Sequence, residues 1–316
     1  MIVFHNPLHH LHQGRHEMFR GRLVPCHETA QRLDHVLAAL RQRSFELRDP
    51  PDDGAFGIGL DAALARVHTP RYLHFIEPAW AEWVGLDPGN AGNDALPSVW
   101  PAPGMRRDVL PENFSAHMGL FSFDAGTPLT AGSWLAARAG AACALAAARA
   151  VSQGEAHSAF ALSRPPGHHA GADFFGGYCF LNNAALAAQA LRDGGAQQVA
   201  VLDVDYHHGN GTQAIFYDRS DVLSVSIHGD PRTEYPSFLG HADERGSGAG
   251  ALVVALGVDT FEGDPISGFR LCSADYLTLG RDIAAARLPT LFVFEGGYAV
   301  KAIGVNTVNV LEGFGA

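Results

Sequence analysis

The stretch Gln198–Val204 (QVAVLDV) constrains the fold of this chain more than any other. It is a continuous, β-branched apolar run, and such a strand needs cover on both faces. Similar runs stand at Ser158–Leu162, Val222–Ile227, Ala251–Leu256 and Thr290–Phe294, and helical segments at Ser133–Val151 and Asn182–Leu191 share the same part of the chain. Apolar strands separated by helices predict an α/β fold, a mostly parallel central sheet with helices on both faces. Such sheets bind ligands at the carboxyl ends of their strands. The residues just after each strand therefore carry the functional reading.

The first half of the chain is less regular. Residues 27–43 have apolar positions at helical spacing, with Thr29 placed to cap the helix. Residues 62–84 predict two helical pieces split by Pro70, and residues 85–130, rich in Pro, Gly and Asn, predict a long loop of the kind usually kept for function. No repeat or linker divides the chain, so residues 1–316 are expected to form one domain. A hydrophobic fraction of 47% supplies a core, and 17% charged residues excludes a disordered chain. The net charge of −11 argues against nucleic-acid binding and suits a small cationic ligand. Cys26, Cys143, Cys179 and Cys272 are widely spaced and form no CxxC, as expected of a reducing compartment. The N-terminus has no signal-peptide pattern. The longest apolar stretch, 136–151, is short and broken by Arg138 and Arg149. The expectation is a cytoplasmic protein with no membrane span.

Four strand ends carry candidate chemistry. After QVAVLDV comes Asp203-Val-Asp205-Tyr-His207-His208-Gly-Asn210. In extended chain Asp203, Asp205 and His207 would share one side. Carboxylates with an imidazole suit zinc, iron or manganese, although a DxH alone more often serves ordinary hydrogen bonds in a polar loop. After SAFAL comes Arg164-Pro-Pro-Gly-His168-His169, two histidines on a stiff turn of the kind that holds a general base. Asp259-Thr-Phe-Glu262-Gly-Asp264-Pro supplies more carboxylates, and Glu295-Gly-Gly-Tyr298 brings a phenol to the rim, where it could donate to a developing oxyanion. Together they make a constellation for metal-assisted hydrolysis. GxSxG, GxGxxG after a strand and the P-loop are absent.

RPPGHH, DVDYHHGNGTQ, LGVDTFEGDP and EGGY, in this order, resemble the histone deacetylase superfamily, and the flanks SFDAGTPLTAGSW and SIHGDPRTEYPSFLGHADE narrow the resemblance to its acetylpolyamine amidohydrolases. The resemblance implies the arginase–deacetylase fold and hydrolysis of acetylated polyamines to acetate and free amine. It implies zinc, with iron as the alternative ion, held by Asp205, His207 and Asp264. His169 would be general base and then acid, His168 its electrostatic partner, and Tyr298 the oxyanion donor. Asp203 and Asn210 would orient His168 and His169. Gly177 and Tyr178 would line the acyl tunnel, while Glu17, with Glu112 assisting, would meet the cationic end of the substrate. One potassium ion would lie among Asp203, Asp205, His207, Ser226 and Ile227, and a second near Phe216, Arg219 and Val222. A homodimer whose partner loop narrows the tunnel is also implied.

The chain departs from that pattern in one place. In the family a stretch of a few tens of residues, carrying a strand and a helix, separates the HADERG loop from the LGVDT strand. Here Gly250 runs directly into Ala251. A deletion there would remove covering helix and part of the second cation site. Two other functions remain open: a lysine deacetylase acting on peptides or proteins, which would share every catalytic residue, and a catalytically silent binder of acetylated ligands. An arginase-like two-manganese hydrolase fits the His pair and EGGY less well.

Overall fold

The computed structural model describes residues 1–51, 55, 57–237, 239 and 248–316. The HADERG loop (241–246) lies outside the described residues. Among them the strands are β1 (Ile2–His5), β2 (His16–Phe19), β3 (Arg22–Pro25), β4 (Glu46–Arg48), β5 (Ser158–Leu162), β6 (Val199–Asp203), β7 (Val222–Ser226), β8 (Ala251–Leu256) and β9 (Thr290–Phe294). The helices are α1 (Gln31–Gln42), α2 (Leu60–Leu64), α3 (Pro70–Ile76), α4 (Ala79–Leu86), α5 (Phe114–Leu120), α6 (Ser133–Ser152), α7 (Asn183–Asp193), α8 (Asn210–Phe216), α9 (Asp275–Ala284) and α10 (Val300–Gly315).

Seven strands pair in the order β4-β1-β5-β9-β8-β6-β7, all parallel, and β2 with β3 makes a separate antiparallel hairpin. Side chains alternate between two cores, as the period of two requires. Ala159, Ala161, Val201, Val253 and Val293 face the core shared with α6 and α7, while Phe160, Leu162, Val254, Phe292 and Phe294 face the one shared with α1, α9 and α10. On this second face the cover thins toward β6, where Ala200 and Leu202 are only partly buried. Beyond β6, β7 is the sheet edge among the described residues. β5, β9, β8 and β6 are consecutive in the sheet, so the four segments carrying candidate chemistry leave it side by side.

Several local expectations are corrected. α1 starts at Gln31 after Ala30, and the Thr29 hydroxyl makes no cap bond. Residues 62–84 hold three helical pieces, and Pro70 opens α3 behind a Thr69 cap, since the missing N–H of proline costs nothing in a first turn. The 85–130 segment contains a 3-10 turn at 88–92 and α5. α6 is the one helix among the described residues long and apolar enough to cross a membrane, but it is packed in the core against α7, β5 and β1.

Candidate active site

β6 ends at Asp203, so the extended alternation expected for Asp203, Asp205 and His207 does not continue past it. The chain instead folds onto its own carboxylates. Asp205 N–H donates to Asp203 Oδ1 (3.0 Å) and His207 N–H donates to Asp205 Oδ1 (2.9 Å). These turns gather the acidic side chains below His207, whose Nδ1 lies 3.3 Å from Asp205 Oδ1 and 3.0 Å from Asp259 Oδ2. Asp205, His207 and Asp259 are all buried and offer donor atoms within 4.8 Å of one another, a group able to hold a metal ion. Asp264 is not part of that group, but it lies close enough for its charge to act on His207 and Asp259. Its Oδ2 accepts from the N–H groups of Tyr298 (2.7 Å) and Ala299 (3.2 Å), and its Oδ1 from Ile266 N–H (3.1 Å).

The close packing of backbone against these carboxylates dictates small residues. A Cβ on Gly296 would sit 2.3 Å from Asp205 Oδ2 and 2.5 Å from Asp259 Oδ2, and Gly296 N–H uses the space to donate to Asp205 Oδ2 at 2.8 Å.

After β5 the turn is fixed by Glu295, which accepts from the N–H of Gly167 (2.7 Å) and of His168 (3.1 Å). Burial lifts the Glu295 carboxyl to about 7. His168 Nδ1 lies 2.9 Å from Asp203 Oδ2, and His169 Nδ1 lies 2.7 Å from Asn210 Oδ1. The two rings are 4.0 Å apart. Burial disfavours the His168 cation, but Asp203 and Asp205 outweigh it and hold the ring up at about 10. Burial, followed by the charges of His168 and His207, pushes His169 well below 6.5. One imidazole of the pair is thus a cation and the other a neutral base.

A cavity of about 370 Å³ opens over His169, His207 and Tyr298. Gly177 and Tyr178 form one wall, both with positive φ (56° and 66°). A Cβ at Gly177 would lie 2.2 Å from His169 Cδ2, which only glycine avoids. Tyr178 donates its hydroxyl to Glu17 Oε1 (2.8 Å), and Glu17, on β2, is 1% exposed. The Tyr298 ring packs 5.6 Å from that of Tyr178, beneath the guanidinium carbon of Arg32 at 4.7 Å. Glu112 is exposed and does not line the cavity.

Asp124 and Tyr235 were not singled out in the sequence. Asp124 Oδ2 accepts from Gly177 N–H and from the Tyr235 hydroxyl, both at 2.6 Å. The Tyr235 ring stands edge-on to His169 at 5.2 Å and stacks with Phe123. The signal was present in the flanking segments SFDAG and RTEYP, but neither follows a strand in the central quartet.

Of the residues expected to surround cations, Asp203 C=O accepts from Ile227 N–H (2.9 Å) and Ser226 Oγ lies 2.9 Å from His228 Nδ1. Phe216 C=O accepts from Arg219 N–H (2.9 Å), and Val222 opens β7.

Residues 26–252 match the sequence model of the histone deacetylase domain. The chain belongs to the histone deacetylase family. Among other members of this family, it is 47% identical to acetylpolyamine amidohydrolase 2 of Pseudomonas aeruginosa over 99% of this chain and 98% of that one. It is 42% identical to the acetylpolyamine amidohydrolase of Mycoplana ramosa over 99% of each. The crystal structure of an acetylpolyamine aminohydrolase from Burkholderia pseudomallei superimposes with a TM-score of 0.90 at 38% identity, covering 100% of this chain and 99% of that one. The histone deacetylase fold, of arginase–deacetylase type, is thereby established for this chain. The alignment to the Pseudomonas protein runs over 350 positions against 316 residues here, so that relative carries residues this family member lacks.

Proposed function

We propose that this chain hydrolyses the acetyl amide of acetylated polyamines to acetate and free amine. The observation that carries the reading is Glu17. This buried carboxylate stands in the wall of the cavity that also holds His169 and Tyr298, and Asp124 and Glu234 line the same cavity. A flexible cation has no peptide backbone to grip, so its recognition needs such carboxylates. The names of the similar amidohydrolases support the same substrate class.

Asp205 and His207 would hold a zinc or iron ion with Asp264 as third ligand. Asp259 is the alternative third ligand, its carboxylate falling within 4.8 Å of the donor atoms of Asp205 and His207. Two carboxylates with one imidazole fit either ion. When bound, the ion would supply Lewis acidity and acidify a water at neutral pH. The rest falls to side chains. His169 Nδ1–H donates to Asn210 Oδ1, which leaves Nε2 bare to take a proton from the attacking water. As the C–O bond forms and the C–N bond breaks, the same nitrogen returns that proton to the leaving amine. Cationic His168 stabilises negative charge building beside it. Burial keeps the Tyr298 phenol protonated, well above pH 10, so it donates to the oxygen on which charge develops. Potassium near Asp203, Ser226 and Ile227, and near Phe216, Arg219 and Val222, would add fixed positive charge behind the site.

A homodimer belongs to the same proposal. The 85–130 segment exposes Val99, Met105, Val109 and Leu110, apolar surface of the kind a second copy would cover. Sedimentation of the purified protein tests it, and a monomer at micromolar concentration would remove it.

The functional test compares kcat/KM for N-acetylputrescine with that for an acetyl-lysine peptide, using zinc-loaded protein. A clear preference for the polyamine is expected. Preference for the peptide would make this a lysine deacetylase, and no turnover of either would leave a silent binder.

A further inference from the structure

We propose that His9, His10 and Asp34 form a second divalent-metal site, separate from the cavity, that takes a borderline transition-metal ion such as Zn²⁺. His9 and His10 are adjacent in the 3-10 turn His9–Leu11, and Asp34 lies in the first turn of α1. The two imidazole rings are 3.9 Å apart and tilted by 39°. Both present Nε2 to the same oxygen, Asp34 Oδ1, at 3.6 Å from His9 and 3.1 Å from His10. One donor atom of each residue lies within 4.8 Å of those of the other two. Nitrogen and oxygen ligands sit about 2.0–2.2 Å from zinc, which in a tetrahedron separates neighbouring ligands by about 3.3–3.6 Å. The two measured separations lie close to that value.

Ordinary pairing accounts for only part of the arrangement. His10 and Asp34 could form a simple surface ion pair. His9 could not join it, because 3.6 Å is longer than a hydrogen bond. The His9 side chain is almost wholly buried, its Nδ1 has no hydrogen-bond partner, and its Nε2 points into the cluster. The nitrogen offered to an ion is Nε2, which makes no hydrogen bond of its own, its nearest carboxylate oxygen lying 3.6 Å away.

The three donors are also held in place. The carbonyl of His9 accepts from Arg164, whose guanidinium grips Glu28 through both carboxylate oxygens. Glu28 in turn pairs with Arg32 of α1, two residues before Asp34. The turn and the helix are thus anchored to one buried ion pair, which pre-organises the ligands. His10 and Asp34 face solvent, leaving water free to complete the coordination.

The test is equilibrium dialysis of the full chain against Zn²⁺ near neutral pH, with bound metal counted, beside His10→Ala and Asp34→Ala. Wild type is expected to hold one equivalent more than either variant, and the variants are expected to retain the deacetylase rate of wild type. His10 is exposed, so its replacement leaves the fold intact. Equal metal content in wild type and both variants would overturn the proposal. A failure of the catalytic centre to bind zinc would lower all three proteins alike and leave the difference between them readable.

Discussion

His169 Nδ1 lies 2.7 Å from Asn210 Oδ1, and this bond fixes which ring nitrogen faces the cavity. His169→Ala removes the proposed base and is expected to lower kcat by roughly 100- to 10,000-fold. Asn210→Ala keeps the ring but frees its tautomer. It should lower kcat less than His169→Ala does, with KM nearly unchanged. Steady-state kinetics decides, and an Asn210→Ala enzyme with wild-type kcat would remove the orienting role.

Tyr298 packs under Arg32 with its phenol held neutral by burial. Tyr298→Phe preserves the ring and its packing and deletes only the donor. The expected loss is about 100- to 1,000-fold in kcat, with little change in thermal stability. Near-normal turnover would exclude the phenol as an oxyanion donor.

Burial raises the Glu17 carboxyl to about 7, against the opposing hydrogen bond from Tyr178. In the free protein it is therefore neutral below about pH 7 and charged above. A cationic substrate favours the charged form, so KM for an acetylated polyamine should fall as pH rises through 7. Glu17→Gln should raise KM at pH 8 and flatten this dependence. The stability effect runs the other way. A carboxyl whose folded pKa is raised loses stability as pH climbs from its unfolded value toward 7, so Glu17→Gln should melt higher than wild type at pH 8. A KM profile unchanged by the substitution would separate Glu17 from substrate binding.

How much of this could be read beforehand depends on distance along the chain. The strands β5, β6, β8 and β9 were legible because each is a short, predominantly apolar run, and their order in the sheet makes the four motifs neighbours. β1 and β4 were not read, being short pieces, IVFH and ELR, that pair only through partners distant in sequence. The β2–β3 hairpin that carries Glu17 turns at Arg20-Gly21, a weaker signal than its function deserves. Asp259 was seen only as one carboxylate among several. Its approach to His207 depends on how two loops from separate strands fold against each other, which no local pattern encodes.

Glu28 is buried between Arg164 and Arg32, and their charges outweigh its burial and hold it down at about 2. A lowered carboxyl contributes stability above its unfolded pKa, and that contribution is lost as pH falls from about 4.5 through 2. Glu28→Gln leaves two buried guanidiniums without their counter-charge, a loss of about 3–5 kcal/mol. Urea unfolding at neutral pH measures it. A loss below 1 kcal/mol would mean the network is wetter than its burial implies.

The third ligand of the catalytic ion separates geometry from resemblance. Asp259 stands 3.0 Å from His207 Nδ1, and burial and the neighbouring Asp205 charge push its carboxyl up. Asp264 is tied by the backbone N–H groups of Tyr298 and Ala299. If Asp264 is the ligand, Asp264→Ala should lose the catalytic zinc equivalent, while Asp259→Ala keeps it with a disordered His207. If Asp259 is the ligand, the two variants exchange outcomes, and Asp264→Ala instead lowers kcat by loosening the Tyr298 turn. Counting zinc in both variants on a His10→Ala background, so that the surface histidine cluster adds nothing, assigns the ligand without reference to activity.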